Sequence, residues 1–270
     1  MNTPPLLNHC NLPPWVIASR DFQDDPRPLE LGDVRITERR LWQALADLDD
    51  PLARGRYFHD YVSVKFSLHA WPDHTAPARA SLRHSYLRFL LNWGADSNGH
   101  AGAVLKAWVE SRFGLRATYH CGCLATDPAA RERYAHDRMK GASQTAGLSQ
   151  QLDLLYTFCQ DELRRRHPAA RWLTLYRGTH DTAEYVVRSP GAETSPSPTI
   201  AAEPLVEFNN LSSFTSDREV AWEFGSSVWE VRVPLPKIVF FHGLLPPEFL
   251  QGESEHLVLG GEYRVRPLRY

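Results

Sequence analysis

Apolar positions along the chain change period near residue 168. From Ser81 to Trp93, the residues Leu82, Tyr86, Phe89, Leu90 and Trp93 share one helical face, and Gly94 stands where a C-terminal cap belongs. Ala101 to Phe113 repeats the scheme through Val104, Leu105, Trp108 and Val109, closed by Gly114. Asp127 followed by Pro128 predicts a helix start, an N-cap before a proline at the first helical position, with the helix running through Tyr134 to about Lys140. Leu152, Leu155, Tyr156, Cys159 and Leu163 make the stripe of a further helix, ended by Pro168. Arg164, Arg165 and Arg166 crowd its last turn. Cations there suit the helix dipole, which favours a solvated helix end over a binding patch.

Beyond Pro168 the period shortens to two. Arg171 to Arg177 reads as a strand, as do Val228 to Val233, Ile238 to Phe241 and His256 to Leu259. Gly260-Gly261 predicts a two-residue hairpin turn into Tyr263-Arg264-Val265-Arg266, whose residues alternate inward and outward. Ser216 to Glu219 fits a capping box, with Ser216 as N-cap of a short helix carrying Val220, Ala221 and Phe224 and closed by Gly225. The Pro- and Ser-rich stretch from Ser189 to Pro198 predicts a surface loop. Helices first and short strands afterwards indicate an α+β fold with a largely antiparallel C-terminal sheet. We expect a single domain over 1–270, helical over 1–168 and β-rich over 169–270.

Composition narrows the class without naming a partner. The 270 residues are 43% hydrophobic and 23% charged, with a net charge of -2, so nothing electrostatic points to nucleic acid. No apolar run reaches the length of a membrane span, and the N-terminus lacks the layout of a signal peptide, so a cytoplasmic protein is expected. Cys10, Cys121, Cys123 and Cys159 are too few and scattered for a disulfide framework. His120-Cys121-Gly122-Cys123 has no second pair at zinc-site spacing, which favours plain thiols and no metal.

The segment with most chemistry is Gly252-Glu253-Ser254-Glu255-His256, leading into the apolar run Leu257-Val258-Leu259. Side chains two apart on extended backbone share a face, so Glu253 and Glu255 can act on one substrate, and their repulsion raises at least one pKa. Taken alone the pair also fits a solvated strand end. Two other features stand upstream of it: Leu175-Tyr176-Arg177-Gly178 at a strand end, and Leu211-Ser212-Ser213-Phe214-Thr215-Ser216 before a short helix. An arginine on a strand is usually solvated and a serine before a helix is usually a cap. Three such features in this order are more specific.

The order resembles the Arg-Ser-Glu class of ADP-ribosyltransferases over roughly Trp172 to Arg266. Ser213-Phe214-Thr215 falls in the register of that class's Ser-Thr-Ser motif, departing from it at Phe214 and Thr215, and is followed by Ala221 and Phe224. Leu175 to His180 and Asn209 to Thr215, with a helical N-terminal half, further resemble the dinitrogenase reductase ADP-ribosyltransferases. The resemblance implies NAD+ as a consumed co-substrate, and no Rossmann glycine fingerprint contradicts that. It implies Glu255 as the carboxylate that steadies the ribosyl cation, Glu253 as the group that prepares an acceptor arginine, and Ser213 as the residue that holds Glu255 and the ribose in place. Arg177, Gly178, Thr215 and Phe208 are implied in NAD+ binding, with Phe208 against the nicotinamide ring. Phe249 is placed either to touch the protein substrate or in plain core packing. The implied partners are the nitrogenase iron protein as substrate and a PII-type nitrogen-regulatory protein as activator, with the N-terminal helices as their contact region. An NAD glycohydrolase, an effector with another acceptor, and a silent binding module of the same fold are the alternatives.

Overall fold

The computed structural model describes residues 8–68, 85–142, 146–180, 185–188, 203–250 and 254–268. Glu253, Asp181, the loop from Ser189 to Pro198, and the expected helix start at Ser81 lie outside them. The helical region comprises α1 (Pro14–Ile17), α2 (Arg20–Asp24), α3 (Val34–Thr37), α4 (Arg39–Ala46), α5 (Pro51–Lys65), α6 (Tyr86–Ala95), α7 (His100–Phe113), α8 (Pro128–Ala142) and α9 (Ala146–Arg166). Then come β1 (Trp172–Thr179), β2 (Val186–Arg188), β3 (Leu205–Thr215), α10 (Arg218–Glu223), β4 (Ser227–Pro234), β5 (Ile238–Phe241) and β6 (Glu255–Leu268). Among the described residues no helix is long and apolar enough to cross a membrane.

The predicted stripes are the buried faces. Leu152, Leu155, Tyr156, Cys159 and Leu163 of α9 are all buried, and α9 lies against β5. Gln160 donates from Nε2 to the carbonyls of Leu235 (3.1 Å) and Ile238 (2.7 Å), which fixes the helix on the strand ends. The three arginines at its end pair with Asp161 and Glu162, as a solvated helix end should. Asp127 caps α8, accepting from the Ala129 N–H at 2.9 Å.

The sheet is antiparallel throughout, in the order β2-β3-β1-β4-β6-β5 with a further β3–β6 pairing. That extra pairing makes a circuit of β3, β6, β4 and β1, closed at one point where Tyr176 of β1 sits opposite Thr215 of β3. On its other edge Thr215 pairs with Glu255. Topology therefore gathers Arg177, Ser213 and Glu255 within two residues of a single crossing point. One hydrophobic cluster runs from Ile17 through Phe58, Trp108 and Leu155 to Val231 and Tyr263, so the helices and the sheet share a core.

Three local expectations are corrected. Gly260-Gly261 is not a hairpin turn; β6 passes straight through it. A bulge at Asn209-Asn210 on β3 puts the Asn209 carbonyl where a Gly260 side chain would be, and the Ala18 carbonyl occupies the same place beside Gly261, whose φ is +109°. The glycines mark a close backbone approach, which a sequence signature cannot tell from a turn. The cap of α10 is Asp217, one residue later than expected, accepting from the N–H groups of Glu219 and Val220. Gly94 lies inside α6, which ends at Ala95; Gly114 does cap α7, with φ +71°.

Candidate active site

Ser213 and Thr215 lie two apart on β3, hence on one face, and Glu255 opens β6 directly across from Thr215. The Ser213 hydroxyl donates to Glu255 Oε1 at 2.7 Å. The same hydroxyl oxygen accepts from the Trp93 indole N–H at 2.8 Å, across from α6 in the helical region. Burial pushes the Glu255 carboxyl above its ordinary 4.5, opposed by the Ser213 hydroxyl, the Trp93 N–H and the charge of Arg177. Main-chain bonds hold the strand entrance, with the His242 N–H donating to the Glu255 carbonyl at 2.7 Å.

Arg177 enters from β1. Its Nε and one terminal nitrogen donate to the Tyr185 hydroxyl at 2.9 and 2.8 Å, and the other donates to the Ser213 carbonyl at 2.5 Å. The guanidinium thus ties the Ser213 strand to Tyr185 through neutral oxygens and makes no direct ion pair with Glu255 among the described residues. These groups line a cleft of about 730 Å³, within the usual range for small-molecule sites. The sheet supplies Tyr176 to His180, Ser213 to Thr215 and Leu257; the helical region supplies Leu91 and Trp93 to Asn98. Phe224, more than half exposed, stands on the rim beside α10.

The structure brings Arg177, Gly178, Ser213, Thr215 and Glu255 into one cleft, and leaves two of the expected residues out of it. Phe208 is fully buried, edge-on to Tyr185, Phe214, Trp229 and Tyr263, so it is a core residue and presents no face to a ligand. Phe249 is half-buried and stacks on His59, ring centroids 3.9 Å apart, away from the cleft lining. Gly178 has a packing reason of its own: a side chain there would collide with the Ala221 carbonyl of α10. Thr215 accepts from the Asp217 N–H at 3.1 Å, so its hydroxyl serves the turn before α10. Glu253 lies outside the described residues. Sequence reasoning missed Trp93 and Tyr185. Trp93 reads as an ordinary core position in a helical stripe, and nothing in a periodicity marks which buried indole donates to a serine 120 residues away.

Known proteins share this sequence over nearly its whole length. A family model for dinitrogenase reductase ADP-ribosyltransferase matches residues 7–267. Over 267 residues the chain is 38% identical to the NAD(+)--dinitrogen-reductase ADP-D-ribosyltransferase of Rhodospirillum rubrum, covering 96% of this chain and 93% of that protein. No solved structure matches. A match of this extent places both the helical region and the sheet in one lineage, and the chain belongs to the dinitrogenase reductase ADP-ribosyltransferase family.

Proposed function

We propose that this enzyme cleaves the bond between nicotinamide and ribose in NAD+ and transfers the ADP-ribosyl group to an arginine of dinitrogenase reductase, switching nitrogen fixation off. The observation that carries the reading is Glu255, held by a serine hydroxyl at 2.7 Å in a cleft large enough for a nucleotide, in a chain of this family. In this reading the whole chain is one catalytic unit with the ADP-ribosyltransferase fold.

The chemistry follows from the charges. Nicotinamide leaves as a neutral molecule from a cationic ring, so no general acid is needed. What develops is an oxocarbenium-like ribosyl cation, the kind of transition state that glycosidases stabilise with a carboxylate. Glu255 supplies that negative charge from a fixed position among the apolar walls of Trp93, Tyr176, Phe214 and Leu257, where it acts more strongly than in water. Arg177 uses three of its five N–H groups on Tyr185 and Ser213; the other two are donors for the diphosphate. The acceptor guanidinium stays protonated at any physiological pH. Glu253, two residues before Glu255, is the group to orient it and take its proton as the new C–N bond forms. Phe224 replaces Phe208 as the aromatic available to the nicotinamide ring. A PII-type protein as activator remains part of this reading, with the helical region as its contact.

The test is labelled NAD+ with dinitrogenase reductase and three enzymes. Wild type labels an arginine of the reductase. Glu255→Gln loses both labelling and NAD+ hydrolysis by about a thousandfold. Glu253→Gln loses labelling while keeping hydrolysis. Full labelling by Glu255→Gln would overturn the mechanism, and free ADP-ribose with an unlabelled reductase would make the wild type a glycohydrolase.

A further inference from the structure

We propose that Trp93 is a positioning residue for the transfer reaction, its indole N–H directing the Ser213 hydroxyl proton onto Glu255. The inference rests on the reading of Glu255 as the catalytic carboxylate and deepens it.

A serine hydroxyl has one proton and two lone pairs, and its rotor is free unless its partners fix it. Here both partners are present. The Trp93 N–H can only donate, and at 2.8 Å it takes up acceptor capacity on Ser213 Oγ. The hydroxyl proton is then left to point at Glu255 Oε1, 2.7 Å away. Reversal is excluded by chemistry, because an indole nitrogen has no lone pair to accept with. The chain Trp93 to Ser213 to Glu255 thus has a single direction, ends on the carboxylate, and each bond polarises the next.

The indole is itself held. Trp93 is 2% exposed, and α6 runs past the site so that a side chain added at Gly94 would come within 3.8 Å of Glu255 Oε2. The other charged or titratable groups around Glu255 are Arg177 on β1, His180 after it, His242 after β5, Asp96 after α6, and Lys106 on α7, whose Nζ lies 5.9 Å from the centre of the Trp93 ring. Among the described residues none of these groups donates a hydrogen bond to the Glu255 side chain in place of Ser213; Arg177 acts on it through space, and the Trp93 N–H also reaches it directly. Removing the N–H frees the hydroxyl to turn toward other acceptors, which weakens the hold on the ionised carboxylate.

A double-mutant cycle tests this, reading nicotinamide release from NAD+ by Trp93→Phe, Ser213→Ala and the double variant, with melting curves to check folding. Trp93→Phe keeps an aromatic ring and removes only the N–H and part of the bicycle. Expected is a loss of about ten- to a hundredfold in kcat with little change in the KM for NAD+, and an acid limb of the pH profile moved to higher pH. In the Ser213→Ala background, Trp93→Phe should cost several-fold less than in wild type, because the path through the hydroxyl is gone and only the direct reach of the indole N–H to Glu255 remains. Multiplicative losses in the cycle, or an unshifted acid limb, would reduce Trp93 to a packing residue and overturn the proposal. Full activity of Glu255→Gln would instead remove the reading beneath it, so the two failures are distinguishable.

Discussion

Two glutamates withdrawn from solvent, one fully buried and one half-buried, are held in opposite ways in this protein. Glu162 on α9 is 1% exposed and accepts from Arg54 Nε at 2.5 Å and from Arg166 at 3.1 Å. Arg54, equally buried, also donates to Asp161 at 2.7 Å and to the Leu45 and Leu48 carbonyls. The charges there are paired with one another on the spot. Glu255 is steadied by a serine hydroxyl, while the nearest guanidinium, Arg177, is occupied by Tyr185 and a backbone carbonyl. A carboxylate bound directly to an arginine has little field left for a ligand. One held by neutral donors keeps its charge and presents it to the cleft, at the cost of a raised pKa. The first arrangement locks α5 to α9; the second is available for chemistry.

The contrast can be broken at either end. Arg54→Ala leaves the buried Glu162 with only Arg166 as a cation and strips Asp161 of its shortest ion pair, and should cost about 3–5 kcal/mol in urea unfolding. Any fall in NAD+ cleavage should follow only from the unfolded fraction. Arg177→Lys should do the reverse. A lysine is a point donor that cannot bridge the Tyr185 hydroxyl and the Ser213 carbonyl together, so NAD+ cleavage should fall about ten- to a hundredfold with only about 1 kcal/mol lost in stability. The smallest effect separates the glutamates most sharply. Because the folded-state pKa of Glu255 lies above its unfolded value of 4.5, the neutral carboxyl is favoured on folding. That stability is fully present below the unfolded value and is lost as pH rises through the folded one. Glu255→Gln, though inactive, should therefore melt higher than wild type at pH 8, and the gain should vanish near pH 4. A variant less stable than wild type at pH 8 would mean that the ionised carboxylate stabilises the fold, and the comparison with Glu162 would fail.

The helices from α6 to α9 were legible because a buried stripe needs only local spacing, and Leu152 to Leu163 supplies it without ambiguity, whereas α1 to α5 were not read from the sequence individually. Arg177, Ser213 and Glu255 were legible because a resemblance fixes their order along the chain, and the structure then gathers them at the point where Thr215 meets two strands. Three things were hidden, each for a physical reason. Two glycines at a close approach look the same as two glycines in a turn until the opposing bulge at Asn209-Asn210 is known. Phe208 is apolar and near the motif, but the pleat turns it to Tyr263 and Trp229 instead of the cleft. Trp93 and Tyr185 act through single polar atoms on side chains that hydrophobic patterning counts as core.

The separation of the chain into a helical half and a β half is also less complete than the pattern suggests. The side chain of Gln23, near the start, behaves as a stray peptide group within the sheet. Its Nε2 donates to the carbonyls of Arg232 (3.0 Å) and Arg264 (3.2 Å), and its Oε1 accepts from the Arg264 N–H at 2.8 Å. One amide thereby bridges β4 and β6 from 209 and 241 positions away in the sequence. During synthesis that amide has no partner on β6 until residue 264 has emerged, so residue 23 must wait for residue 264 before the two strands are bridged.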